Sequence, residues 1–175
     1  MSAPEPLVHV VADDEIQGPA AELFTNLKEQ MGDVPKWVRV MANQDDILLG
    51  FFAMFKATMD DAPVEAKLKW KVAYKVSEIN KCAFCVSVSQ KKLASMGLGD
   101  VNLKDLEEAA DEREKVALKF AEDATKEAYK INAAAMDELK KHFSDPEIVE
   151  LTAVVGLFNY INRFNDALGI LPDIE

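Results

Sequence analysis

The chain has 175 residues, 49% of them apolar and 29% charged, with a formal net charge of −11. That length suffices for one well-buried core, and the composition is globular rather than disordered. The acidic excess disfavours nucleic acid and anionic membranes as partners, and no apolar run reaches the length of a membrane span.

Residues 1–18, with Pro4, Pro6 and the run Val8-His9-Val10-Val11, read as an extended arm, and 19–175 as a single helical domain. Met1-Ser2-Ala3-Pro4-Glu5-Pro6 carries neither the basic nor the apolar region of a signal peptide, so a cytoplasmic protein is expected. Pro19 suits the first turn of a helix with Leu23, Phe24, Leu27 and Met31 on its apolar face, closed by Gly32. After Pro35, the residues Trp37, Val38, Val40 and Met41 predict a short helix. Asn43 or Asp45 caps the next, which buries Leu48, Phe51, Phe52 and Phe55.

Asp60 or Asp61 is the expected cap of the following helix, with Pro63 in its first turn. Leu68, Val72, Val76 and Ile79 step along it at helical spacing, with Lys67, Lys69, Lys71 and Lys75 elsewhere around it. Asn80-Lys81 breaks it, and a second helix begins near Cys82 and ends at Gly97. Leu98-Gly99-Asp100 is a turn, and Leu103 to Leu106 a short helical segment. Asp111 with Glu114 forms a capping box, Asn132 caps a further helix, and Ser144-Asp145-Pro146-Glu147 opens the last one. That helix runs to about Leu168 and stops at Gly169; its middle, Leu151 to Phe158, is apolar on every side. No strand alternation or phosphate-binding glycine loop interrupts this pattern. The class is all-α, with eight or nine helices.

The two cysteines stand together in Lys81-Cys82-Ala83-Phe84-Cys85. Thiols at i and i+3 on one helical turn lie roughly 5–6 Å apart at Cβ, close enough for a disulfide after a small adjustment. His9 and His142 are far off in sequence, so a four-ligand zinc site is not indicated, and no metal or cofactor is expected. In a reducing compartment such a pair is more often redox-active than structural. A helix N-terminus and Lys81 would both favour a thiolate here. Glu78, one turn before Cys82, is a candidate proton acceptor, and Ser89, one turn after Cys85, a candidate hydrogen-bond partner for it. Tyr74 reads as packing, and His142 as a complement to a helix dipole. Asn159, Asn162, Arg163 and Asp166 form a polar stripe read as subunit contacts.

Cys82-x-x-Cys85 following Val76-Ser77-Glu78-Ile79-Asn80-Lys81 resembles the core of the AhpD-like, or carboxymuconolactone decarboxylase-like, superfamily. Glu112 to Glu122, His142 to Thr152 and Phe158 to Phe164 resemble its peroxidase-related branch, and the likeness covers roughly residues 20 to 170. The resemblance implies an all-α bundle assembled as a trimer or hexamer. It also implies thiol-dependent hydroperoxidase chemistry, with Cys85 as the peroxidatic residue and Cys82 as the resolving one. A small-molecule hydroperoxide and a dithiol or protein reductant would be the partners. Two family positions differ: Ser89 replaces a histidine and Trp70 a glutamate, the pair that normally forms the proton relay. Weak or altered activity is the expectation, with Trp70 filling the space the glutamate would have lined. The alternative is a catalytically degenerate oligomeric scaffold that senses redox state or binds a small molecule. Lyase chemistry would need a general base that the sequence does not offer.

Overall fold

The structure is a computed structural model that describes residues 4–60 and 63–172. Among these are nine α-helices and no strand: α1 Gly18–Met31, α2 Lys36–Met41, α3 Asp45–Met59, α4 Ala66–Asn80, α5 Ala83–Leu93, α6 Leu103–Ala109, α7 Glu112–Glu127, α8 Ala133–Lys140 and α9 Asp145–Ala167. The all-α expectation therefore holds. The chain forms two compact units, one of Met1–Ala57 with Asn165–Glu175, the other of Thr58–Phe164. No described helix is long and apolar enough to cross a membrane.

In the first unit the arm lies along α2. Arg39 donates to the Val11 and Val34 carbonyls and pairs with Asp13 and Asp33 at 3.0 Å each, and its guanidinium covers the Phe24 ring. Trp37 stacks on Phe52 and meets Phe51 edge-on. Gly32 ends α1 in the left-handed conformation, as expected. Met31, placed on the buried face from sequence, is instead exposed, being the last residue before the chain turns away. Asn43 does not cap α3; its amide donates to the His9 and Val40 carbonyls.

The second unit is built around α4, and ten consecutive residues, Leu68 to Ser77, are buried. Its N-cap is Glu65, not Asp60, and Pro63 precedes the helix; Asp61 lies outside the described residues. A helix buried all round must partner every charge it carries. Lys69 pairs with Glu150 of α9, Lys71 with Glu114 of α7, and Lys75 with Glu107 of α6 and Glu122 of α7. Burial pulls the Lys75 ammonium pKa down, but bonds to Glu107 and Glu122 outweigh it and the net shift is upward. Glu114 thus serves Lys71, while its backbone N–H is capped by Asp111 at 2.8 Å. Glu147 does complete the box at α9, accepting from the Ser144 N–H at 2.7 Å. α9 is not buried on every side, for Thr152, Gly156 and Tyr160 are exposed.

Candidate active site

The site grows from the corner between α4 and α5. The Cys82 N–H donates to the Ser77 carbonyl and the Lys81 N–H to the Glu78 carbonyl, both at 3.1 Å. This pair closes a helix through one left-handed residue, most often glycine. Here it is Lys81, at φ 61 and ψ 28, the one non-glycine with positive φ among the described residues. Cys82 then acts as the N-cap of α5, at φ −78 and ψ 97, and its carbonyl accepts from the Val86 N–H at 2.9 Å. Cys85 falls on the third residue of α5. Both sulfurs sit at the positive end of that helix, where the dipole favours negative charge and burial opposes it.

The two Sγ atoms are 2.9 Å apart, against about 2.05 Å for a disulfide bond. Cys82 is 0% and Cys85 4% exposed. The spacing read from sequence is thus realised as two thiols in direct contact, both below the surface.

Cys85, Ser89 and Leu93 form the buried side of α5. Three contacts set its register against α4: Cys82 on Ser77, the Gln90 amide donating to the Tyr74 hydroxyl at 2.9 Å, and Lys92 over the Trp70 ring at 6.0 Å. Ser89 is completely buried, and its hydroxyl has no hydrogen-bond partner in the protein. A buried hydroxyl left unsatisfied costs about 1–3 kcal/mol.

Glu78 is half-buried beside Tyr74. Burial first, and then the Glu78 carboxylate, pushes the phenol pKa up, with the Gln90 bond acting against them. Tyr74, read from sequence as packing, therefore has a hydroxyl engaged by both α4 and α5. Trp70 is 7% exposed and meets Phe158 edge-on at 5.8 Å. It fills the α4–α9 seam with an apolar ring.

Behind the corner lies a network that the sequence showed only in part. Asn80 donates to Asn159 and Asn162 at 3.0 and 2.9 Å, and Asn162 donates to the Ser77 hydroxyl at 3.1 Å. Ser77 in turn donates to the Ala73 carbonyl, and Arg163 donates to Asn159. Asn159 and Asn162 thus face α4 rather than another subunit, and Asn162 is fully buried. Two asparagines one turn apart on an apolar helix were the available signal; their partners Ser77 and Asn80 carried none. His142 ends the α8 turn, where its carbonyl accepts from Arg113, and takes no part in this corner. Among the described residues no group of three or more His, Cys, Asp or Glu is placed to hold a metal ion.

No family profile matches the chain. It is similar to the uncharacterized protein YnjA of Escherichia coli (strain K12), with 29% identity over 114 residues. The match spans 62% of this chain and 63% of that protein's length, less than two thirds of either. An uncharacterized peroxidase-related protein of Ralstonia eutropha JMP134, an alkylhydroperoxidase AhpD core, superposes with a TM-score of 0.87. It is 21% identical, covering 97% of this chain and 93% of that one. A second uncharacterized peroxidase-related protein, from Silicibacter sp. TM1040, gives 0.83 at 25% identity, covering 98% and 94%. The debrominase Bmp8 shares the fold at 0.69 and 22% identity, covering 85% and 82%. The chain has the helical fold of these AhpD-like proteins, with Cys82 and Cys85 together at the head of α5.

Proposed function

We propose that the chain is a thiol-dependent hydroperoxidase working through Cys85 and Cys82. The observation that carries the reading is the 2.9 Å between the two sulfurs at the start of α5. Cys85 thiolate attacks one oxygen of the peroxide; the S–O bond forms, the O–O bond breaks, and water or an alcohol leaves after taking a proton. Cys82 then attacks the Cys85 sulfur, closing the disulfide and expelling water. An external dithiol returns two electrons and two protons and is itself oxidised. Ser89 lies one turn after Cys85 on the same buried side of α5. Glu78 acts through Tyr74 as a positioning residue rather than as a direct base. With serine and tryptophan at the two relay positions, turnover is slow.

The peroxidase-related names of the fold neighbours support this class of chemistry. Bmp8 shares the fold alone, and debromination does not carry over from it. Exposed Val149, Tyr160 and Val88 support assembly with further copies as a trimer or hexamer, which light scattering at micromolar concentration tests.

The deciding experiment is intact-mass analysis after mild peroxide treatment. Wild type should lose two hydrogens with Cys82 and Cys85 joined, and Cys82→Ser should gain one or two oxygens at Cys85. Two thiols that stay reduced and alkylate equally would instead favour the scaffold reading.

A further inference from the structure

We infer that Asn162 of α9 is a positioning residue for the thiol pair: it holds the last turn of α4 in the geometry from which Cys82 and Cys85 close a disulfide, and so sets their redox equilibrium. The inference rests on the reading of this pair as redox-active and adds to it a residue from another helix.

The first observation is where the burial of α4 stops. Every residue from Leu68 to Ser77 is buried, whereas Glu78, Ile79 and Asn80 are only half-buried. Burial therefore holds the body of the helix but only in part its last turn, and helix ends fray. Cys82 depends on that turn. Its N–H donates to the Ser77 carbonyl and the Lys81 N–H to the Glu78 carbonyl, both at 3.1 Å, with Lys81 in the left-handed conformation between them. A frayed last turn gives up both bonds and frees Cys82.

The second observation is what grips the turn. Asn162 is completely buried and is bonded through both ends of its amide. The N–H donates to the Ser77 hydroxyl at 3.1 Å, and the oxygen accepts from the Asn80 amide at 2.9 Å. Ser77 is the last buried residue of α4 and Asn80 its last residue, so one side chain spans the terminal turn. Both partners are fixed in their turn, Ser77 by donating to the Ala73 carbonyl at 2.8 Å and Asn80 by donating to Asn159 at 3.0 Å.

Closing the disulfide brings the sulfurs from 2.9 Å to about 2.05 Å. An ordered corner meets that demand with a small side-chain adjustment. A loose corner must be ordered in the same step, and the lost chain entropy opposes the bond. Removing the Asn162 amide therefore disfavours the disulfide relative to the two thiols.

The full chain would be equilibrated in buffers of reduced and oxidised glutathione, from the oxidised and the reduced side, then acid-quenched, alkylated and weighed. Two glutathione thiols supply two electrons and two protons to the Cys82–Cys85 bond, which breaks as their own disulfide forms. Asn162→Ala is expected to lower the equilibrium constant for disulfide formation by about tenfold, a shift of about 30 mV to less negative potential. Ser77→Ala and Asn80→Ala each remove one contact and should move it the same way by about threefold. Ile148→Val controls for lost stability alone: Ile148 is buried on the same helix, about 21 Å before Asn162 along α9, and this variant should keep the wild-type equilibrium. An unshifted equilibrium in Asn162→Ala or, where that variant does not fold, in both Ser77→Ala and Asn80→Ala would overturn the inference while leaving the redox reading intact. An equal shift in Ile148→Val would overturn it too. Wild-type thiols that stay reduced in every buffer would remove the redox reading, and the inference with it.

Discussion

The Ser77 carbonyl accepts the backbone N–H of Cys82 at 3.1 Å. One bond therefore closes α4 and places the first sulfur of α5. Asn162 holds the Ser77 hydroxyl from α9 and accepts from Asn80, so the corner is tied to α9. The path from α9 to Cys82 runs through hydrogen bonds and one helix terminus, and it leaves little freedom in where Cys82 sits.

Lys81 occupies the left-handed position of that corner. A non-glycine residue there costs about 1–2 kcal/mol, and glycine returns about 0.4–1 kcal/mol of that by loosening the unfolded chain. Lys81→Gly should therefore stabilise the protein by up to about 1.6 kcal/mol, raising Tm by up to about 6 °C. A lower Tm in a thermal melt would show that the lysine side chain contributes more than its backbone costs.

Ser89→Ala removes a buried hydroxyl with no partner in the protein. Stability should rise by up to about 1–3 kcal/mol, because an unsatisfied polar group is lost and little volume changes. A urea midpoint that falls on Ser89→Ala would mean the hydroxyl is satisfied in solution by a bound water.

Lys69 is completely buried against Glu150, whose second oxygen accepts the Val64 N–H at 2.8 Å. Lys69→Ala leaves Glu150 as an unpaired buried charge, and removing one partner of such a pair costs about 3–5 kcal/mol. The double variant Lys69→Met with Glu150→Gln keeps an acceptor for Val64 and buries no charge, so it should recover most of the loss. Urea denaturation of the two variants checks this; a double variant as unstable as the single would refute it.

Glu122 carries the pH prediction. Its bond to Lys126, and next its bond to Lys75, lower its pKa from 4.5 to about 2. The folded value lies below the unfolded one, so the stability it contributes is complete above about pH 5 and is lost as pH falls towards 2. Glu122→Gln cannot follow that titration. The difference in urea midpoint between wild type and variant should be largest near neutrality and shrink through the acid range. A difference independent of pH between these limits would show that the pairing does not contribute.

Helix ends in this chain were legible because caps are local. Asp111, Asn132, Ser144, Gly32 and Gly169 each act within a few residues of themselves, and each stands where a single-sequence reading puts it. The Cys82–Cys85 pairing was legible for the same reason, since three residues and one helical turn are enough to bring the sulfurs together. Three features depended on the tertiary fold. Lys69, Lys71 and Lys75 looked like an ordinary polar side of a helix, yet their glutamates come from 32 to 81 residues away and allow α4 to be buried whole. Asn80 and Ser77 gained their meaning only when α9 brought Asn159 and Asn162 against them. Whether Cys85 faces solvent or lies buried on the same side of α5 as Ser89 was decided by how α5 packs on α4. Burial is a sum over neighbours distant in sequence, and no window along the chain contains it.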